Sequence, residues 1–336
     1  MRLSICIPTY NRGPFIGELL DSILTQRGHN CEIEVVISDN ASTDQTADVI
    51  AAYRDRLSLV YYRAVSNMGA DRNFLKVVEL ATGDFCWLMG SDDILEPGSV
   101  AEIVRHCRAH DHIAGLSVNR NAYNYTMTAR IFERPVAGGQ INGDCLLKTP
   151  DDIFVKLGEY FGYLSGQVIR RDLWNRVIAD FDVTPYFNAY VHIYIIGEML
   201  RYEPCWFYVS KPCVGWRSDN DSFLSSGEFK RMRIDVIGYE KISRGLFGAG
   251  NPTYRHVNST VASVHVRYAI LGAKLKGLPS SFYRQAIPLL LHSYWRYPAF
   301  WIHTAPLLLI PTSLMRLARW GYRRTIKIHR TNYLSK

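Results

Sequence analysis

Residues 3–119 alternate short apolar runs with amphipathic stretches, and this alternation limits the possible fold more than any other feature of the chain. The runs Leu3–Ile7, Ile33–Ser38, Leu59–Tyr62, Phe85–Met89 and Ile113–Val118 have strand length. Between them the spacing predicts helices over Phe15–Gln26, Thr43–Asp55, Asp71–Ala81 and Pro97–His110. Strand and helix in regular succession make a mostly parallel sheet with helices on both faces, the α/β class. Ligands of such sheets sit beyond the carboxyl ends of the strands, so the residues to inspect are those just after each run.

Pro8-Thr9-Tyr10-Asn11-Arg12 follows the first run. A turn fixed by proline, carrying an aromatic ring and a cation, suits a nucleotide base and a phosphate, although such turns also merely start helices. Asp39 follows the second run. Its carboxylate can accept from a base N–H, and the sequence shows no structural task for it. Ser42 or Thr43, by contrast, is explained as the N-cap of the next helix. The third loop, Asn67-Met68-Gly69-Ala70-Asp71-Arg72-Asn73, leads into a helix N-terminus, where free N–H groups and the dipole favour an anion such as a diphosphate. After the fourth run stands Gly90-Ser91-Asp92-Asp93. Two adjacent carboxylates at the end of an apolar strand are costly unless a cation compensates them, and a divalent ion shared with substrate phosphates does so. Acidic caps ahead of the Pro97 helix would account for one Asp more easily than for two.

In order and spacing, Ser4-Ile5-Cys6-Ile7-Pro8-Thr9-Tyr10-Asn11-Arg12, Ser38-Asp39-Asn40-Ala41-Ser42-Thr43-Asp44, the Asn67-x-Gly69 turn, and Ala81-Thr82-Gly83-Asp84 ahead of Ser91-Asp92-Asp93 closely resemble family 2 glycosyltransferases of the nucleotide-diphospho-sugar transferase (GT-A) fold. The resemblance implies a nucleoside-diphosphate sugar donor. It implies that Pro8, Thr9, Tyr10 and Asp39 hold the nucleoside, that Asn67, Arg72 and Asp92 hold its ribose or phosphates with Arg12 nearby, and that Asp93 with Asp92 binds Mn²⁺ or Mg²⁺. Such an ion neutralises a departing nucleoside diphosphate. Gly90 occupies the first position of the family's Asp-x-Asp, which leaves fewer carboxylates for a metal. Inverting members carry a base carboxylate at a helix start near mid-chain. Here His192, in Tyr190-Val191-His192-Ile193-Tyr194, stands there, and a His near its unperturbed pKa can deprotonate a hydroxyl. A lone His among apolar residues also suits a core, Asp182 and Glu198 are rival bases, and an enzyme that retains configuration requires none.

Beyond residue 119 the chain is polar and Gly-rich to Thr149, with Gly138-Gly139, as in a loop or hairpin insertion. A helix is predicted over Asn188–Arg201 and one or two strands over Cys205–Trp216. These lead into Arg217-Ser218-Asp219-Asn220-Asp221-Ser222-Phe223, where Arg217 can grip a diphosphate and Trp216 can stack on a sugar, or the run can form an Asx turn. This run resembles abequosyltransferase-like members of the family, which add a 3,6-dideoxyhexose during O-antigen assembly. After Phe229 the pattern is helical. The expected organisation is a GT-A domain over 1–225, with a donor half 1–119 and an acceptor half 120–225, followed by a helical, basic, membrane-associating region over 226–336.

All 31 acidic residues precede residue 241, so the body is net acidic and the tail carries cations alone, which points to an anionic partner for the tail. Tyr297–Met315 is free of formal charge but interrupted by Pro298, Pro306, Pro311 and His303. With Trp295, Trp301, Trp320 and the cations Arg316, Arg319, Arg323, Arg324 and Lys327, it fits interfacial helices in a headgroup layer better than a spanning helix; a buried helical hairpin is the plainer alternative. Cations interleaved with prolines and bulky apolar runs suit a headgroup layer better than a nucleic-acid phosphate groove. The seven cysteines are scattered without a CxxC pair, as in a reducing compartment, and no signal-peptide pattern opens the sequence. The expected function is sugar transfer from a nucleoside-diphosphate donor to a polyprenyl-linked glycan, in O-antigen-type surface polysaccharide synthesis, by a peripheral protein on the cytoplasmic face of the inner membrane. The alternatives are a polyprenyl-phosphate monosaccharide transferase, a nucleotidyltransferase on the same kind of fold, or a basic nucleic-acid-binding protein. The Gly-rich, Arg- and Lys-bearing first loop of a nucleotidyltransferase is missing after Ile7.

Overall fold

The structure, a computed structural model, describes residues 1–26, 28, 30–110, 112–134, 141–317 and 320. Gly138-Gly139 and the cations Arg319, Arg323, Arg324 and Lys327 lie outside the described residues. Two compact units are present, one over Met1–Asp221 with Arg244–Gly248, the other over Ser222–Ser243 with Ala249–Lys336.

The first unit begins as the alternation requires: β1 (Arg2–Thr9), α1 (Gly13–Leu24), β2 (Glu32–Asp39), α2 (Thr46–Ala51), β3 (Leu59–Arg63), α3 (Ala70–Glu79), β4 (Phe85–Leu88), β5 (Ile94–Leu95), α4 (Ser99–Ala109) and β6 (Gly115–Tyr123). β1 pairs in parallel with β2 and β4, and β2 with β3. Strands covered on both faces need continuous apolar sequence, which is why β1 and β4 are buried from Leu3 to Thr9 and from Phe85 to Leu88. Pro14 stands in the first turn of α1, where its missing N–H leaves no bond unmade. Gly69 at φ +84° lets the chain turn into α3, a conformation that strains any residue with a Cβ. α2 is shorter than the predicted Thr43–Asp55.

β7 (Arg130–Arg134) returns on β6 as a hairpin, and β8 (Cys145–Leu147) and α5 (Pro150–Leu157) follow. Next come β9 (Gln167–Arg170), α6 (Arg171–Asp180), α7 (Val191–Tyr202) and β10 (Trp206–Arg217). β9 runs antiparallel between β4 and β6, and β10 pairs in parallel with β6 through an irregularity between Val209 and Val214. The sheet order is β3-β2-β1-β4-β9-β6-β10-β5. The predicted mostly parallel sheet flanked by helices is therefore present. α7 is buried on every side from Val191 to Leu200, so it is an internal helix.

The second unit is helical, as the tail pattern indicates. α8 (Glu228–Phe247) lies mostly in it and is followed by α9 (Pro252–Ser263), α10 (His265–Lys276), α11 (Ser280–Tyr294), α12 (Pro298–His303) and α13 (Ala305–Leu309). Pro298 and Pro306 each open a new short helix, which breaks the uncharged segment into pieces. No helix among the described residues is long and apolar enough to cross a membrane.

Candidate active site

The carboxyl ends of β1, β2 and β4 bring the first, second and fourth sequence loops together. The β1 and β2 loops are fastened to each other by hydrogen bonds: Asn11 N–H donates to Ser42 Oγ, Thr43 N–H to Asn11 Oδ1, Arg12 N–H to Thr46 Oγ1, and Gly13 N–H to Asp44 Oδ2. Ser42 and Thr43 therefore tie loops rather than cap α2, whose N-cap is Gln45 with no side-chain bond. Pro8 and Thr9 are buried; Thr9 Oγ1 and the nearby Asn73 Oδ1 lack partners among the described residues, although Asn73 donates to the Thr9 carbonyl. Tyr10 is 43% exposed and free to stack on a planar ligand, and Arg12 is half-buried beside it.

Asp39 has the structural work that its sequence context did not reveal. Its Oδ1 accepts from Ser42 N–H, its Oδ2 accepts from Tyr61 Oη at 2.8 Å, and Arg63 stands 3.9 Å away. Burial, and then this bond to a carboxylate, push the Tyr61 hydroxyl up to about 12. Asn67 Oδ1 accepts from Asn40 and from Gly69 N–H, shaping the third loop, while Arg72 is exposed with its guanidinium 5.4 Å over Phe187.

Asp92 and Asp93 follow β4. Asp93 is buried: its Oδ2 accepts from Tyr163 Oη at 2.7 Å and Ser165 Oγ at 2.6 Å, and its Oδ1 from Arg217 N–H. Burial, then the neighbouring Asp92 charge, push it up to about 7, against the pull of those three donors. Burial also raises Asp92, whose Oδ2 accepts from Asn220 and whose Oδ1 takes no hydrogen bond among the described residues. A Cβ built on Gly90 would lie 3.4 Å from Asp92 Oδ1 and 3.5 Å from Asp93 Oδ2, so both carboxylates face the gap at that glycine. It would also press on Ser165 Oγ at 3.0 Å. Two carboxylates held above their ordinary range in one spot, with open lone pairs on Asp92 Oδ1 and Asp93 Oδ1, fit a hard divalent cation. Asp92 offers the freer oxygen, which reverses the emphasis that the sequence placed on Asp93.

Two expected site residues are placed differently. Arg217 is 3% exposed. Its Nε donates to the Asp92 carbonyl, one terminal nitrogen to the Tyr125 carbonyl and the other to Glu18 at 2.6 Å, and its guanidinium lies 5.0 Å over Phe15. It locks the Asp92–Asp93 loop to α1 and β10 and leaves no nitrogen idle for a diphosphate. His192 is a core residue: it is 1% exposed, its Nε2 donates to the Phe161 carbonyl, and it packs edge-on against Phe74. Burial lowers it to about 4. An acceptor hydroxyl cannot reach a ring held this way, and the base assignment is corrected on that ground. Of the rivals, Asp182 is exposed and accepts through Oδ1 from its own turn at Thr184, and Glu198, 1% exposed, pairs with Arg201. The carboxylate at the start of α7 comes instead from α3, where Asp71 accepts from Ala189 and Val191 N–H.

Tyr163, Ser165 and Glu18 were not foreseen as parts of this site, and only the fold brings them to Asp93 and Arg217. Trp216 is half-buried with the Arg120 guanidinium 5.1 Å over it. Elsewhere, Glu102, His106 and Asp144 hold ligand atoms within 4.8 Å of one another, but Arg105 and Lys211 already balance their charge. An open depression of about 800 Å³ lined by Met1, Arg2, Asn30, Cys31, Glu32 and Asp84 lies at the amino ends of β1 and β2, opposite the site.

Comparison with known proteins agrees with this architecture. Residues 4–164 match the family model described as glycosyl transferase family 2. Over 259 residues, 74% of this chain and 76% of the relative, the chain is 35% identical to abequosyltransferase RfbV of Salmonella typhimurium. Among solved structures it superposes on Staphylococcus aureus TarS 1–349 in complex with UDP-GlcNAc with a TM-score of 0.63, at 18% identity over 89% of this chain and 84% of that one. It also superposes on the mannosyltransferase PcManGT from Pyrobaculum calidifontis, in complex with GDP-Man and Mn²⁺, with a TM-score of 0.54, at 18% identity over 94% and 87% of the two chains.

Proposed function

The chain belongs to glycosyl transferase family 2, and from that premise we propose that it moves one sugar from a nucleoside-diphosphate donor to a polyprenyl-linked glycan during O-antigen-type polysaccharide synthesis. The observation that carries the donor half of this reading is the Asp92–Asp93 pair, held above its ordinary range at the end of β4 beside the Tyr10–Arg12 turn. Its negative charge calls for a cation, and Tyr10 offers a ring to a base. Asp92, with Asp93, would hold Mn²⁺ or Mg²⁺. When bound, that ion neutralises the charge that develops on the leaving diphosphate. Pro8, Thr9, Asp39, Asn67 and Arg72 frame the nucleoside and its ribose, and Trp216 presents a ring toward the sugar side. Tyr163 and Ser165 fix the orientation of Asp93, and Arg217 fixes the loop that carries it.

The acceptor class rests on the likeness to abequosyltransferase RfbV and on the second unit. Trp295, Trp301, Ile302, Leu309, Leu314 and Leu317 are all more than a third exposed there, in a stretch free of acidic residues. Large apolar side chains among cations suit an anionic headgroup layer. In this reading residues 1–119 bind the donor, 120–225 shape the acceptor groove, and 226–336 lie on the cytoplasmic face of the inner membrane, near a lipid-linked acceptor. Two measurements test it. Calorimetric titration with UDP, CDP, dTDP and GDP, with and without Mn²⁺, is expected to show one metal-assisted nucleotide whose binding Asp92→Ala removes; no binding by any of them sinks the donor argument. Sedimentation with anionic vesicles is expected to carry the parent down and to lose it in a Trp295→Ala, Trp301→Ala double variant, whereas a parent that stays in the supernatant rejects the membrane face.

A further inference from the structure

Arg120 is set apart from the other arginines near the site by a buried Nε that lacks an acceptor among the described residues. It is half-buried near the carboxyl end of β6, with its guanidinium carbon 4.0 Å over Tyr163, 5.1 Å over Trp216 and 5.3 Å over Tyr160. Its side chain has no carboxylate or carbonyl partner among the described residues, and Nε is buried without an acceptor. Arg217 has all three nitrogens occupied, and Arg170 and Arg63 donate to Asp172 and to the Ser42 carbonyl. Aromatic faces attract a guanidinium through their quadrupole but offer its N–H groups no acceptor in the ring plane, so the cage orients this cation and leaves its donors unused. A desolvated N–H without a partner is unfavourable, and an incoming acceptor atom would relieve it.

The location says which acceptor. Tyr163, the nearest ring, donates its hydroxyl to Asp93, and Trp216 precedes the residue whose N–H donates to the same carboxylate. Arg120 is thus one ring removed from the Asp92–Asp93 pair, the place proposed above for the donor's diphosphate. A planar fork of donors, fixed in one orientation, matches two oxygens of a phosphate.

We propose that Arg120 binds a phosphate of the substrate beside Asp93, supplied either by the donor's outer phosphate or by the diphosphate of a lipid-linked acceptor. The inference rests on the glycosyltransferase reading. It gives the diphosphate contact, expected from sequence at Arg217, to a residue that the sequence did not single out.

The test uses the full chain with Arg120→Gln and Arg120→Lys, titrated with matched nucleoside mono- and diphosphates and with geranyl diphosphate as an acceptor-like probe. If the donor supplies the phosphate, Arg120→Gln weakens the diphosphate by about 10- to 100-fold, the scale of a charge-assisted bond, and leaves the monophosphate within about twofold. Arg120→Lys, which keeps the charge without the fork, falls between. If the acceptor supplies it, nucleotide binding is unchanged and geranyl diphosphate binding is lost. Unchanged binding of all three, or equal losses of mono- and diphosphate as a purely structural role gives, overturns the proposal. A parent that binds no nucleotide overturns the glycosyltransferase reading as well, whereas a parent that binds with variants that bind equally well overturns this inference alone.

Discussion

Arg217 separates a structural reading of the site from the one that its residue type invites. Arg217→Ala removes three hydrogen bonds from a residue that is 3% exposed, two of them to the part-buried carbonyls of Asp92 and Tyr125. Each charged bond to a part-buried carbonyl contributes about 1.5 kcal/mol. The Glu18 bond contributes about 1 kcal/mol, because that carboxylate is 50% exposed and screened by solvent. The total loss is about 4 kcal/mol, a fall in melting temperature of about 8–16 °C for a unit of this size. Arg217→Lys keeps a charge but cannot direct three divergent bonds, and is expected to lose about half as much. Thermal and urea unfolding followed by circular dichroism measure the loss, and nucleotide titration well below the melting temperature measures what the folded variant still binds. The structural reading requires a large drop in stability with nucleoside-diphosphate affinity reduced by less than about tenfold, the effect of a loosened loop rather than a missing contact. Melting within about 2 °C of the parent, together with a loss of diphosphate binding of about a hundredfold, would refute it and restore Arg217 as a direct ligand.

His192→Phe keeps the ring volume and deletes the bond to the Phe161 carbonyl, so it is expected to cost about 1–3 kcal/mol and to leave the shape of the kcat–pH profile unchanged; a loss of the acid limb of that profile would return the base role to His192. Asp93 has a folded pKa of about 7, above its unfolded value, so its contribution to stability is complete below about pH 4 and is lost as the pH rises through 7. The difference in melting temperature between the parent and Asp93→Asn is therefore expected to move in favour of the Asn variant from pH 5 to pH 8. A difference that stays flat shows that the carboxyl is ionised throughout.

The donor half was legible because its strands are buried on both faces and announce themselves as apolar runs, each followed by the polar residues of one loop. β5, with two residues, carries no such signal and was found only in the fold, and β9 is the end of an apolar stretch, Tyr163–Arg170, whose sequence did not mark a strand. The same limit applies to the site. Asp92 and Asp93 could be picked out because two carboxylates after an apolar strand demand compensation, which is a local property. Whether Arg217 is free depends on Glu18, 199 residues away in sequence, and no local pattern encodes that encounter. Arg120 did carry a local signal: Asn119-Arg120-Asn121 places three consecutive polar residues in the carboxyl-terminal half of β6, toward the end of the sheet where ligands bind.

Counting unused hydrogen-bonding capacity sorts these residues more sharply than residue type does. A carboxylate has about four acceptor positions, and Asp93 has three taken, by Tyr163, Ser165 and Arg217, whereas Asp92 has one taken, by Asn220. Asp92 can therefore gain a ligand without surrendering a bond, while a second new bond at Asp93 requires a hydroxyl to turn away. The guanidinium of Arg217 has every nitrogen engaged, and that of Arg120 has no hydrogen-bond acceptor among the described residues, with Nε buried. A site assembled in this way keeps its rigid parts saturated by protein groups and leaves open capacity where a metal and a phosphate would enter. Binding then adds interactions instead of exchanging them, and the cost of reorganising the loop after β4 falls on neither partner.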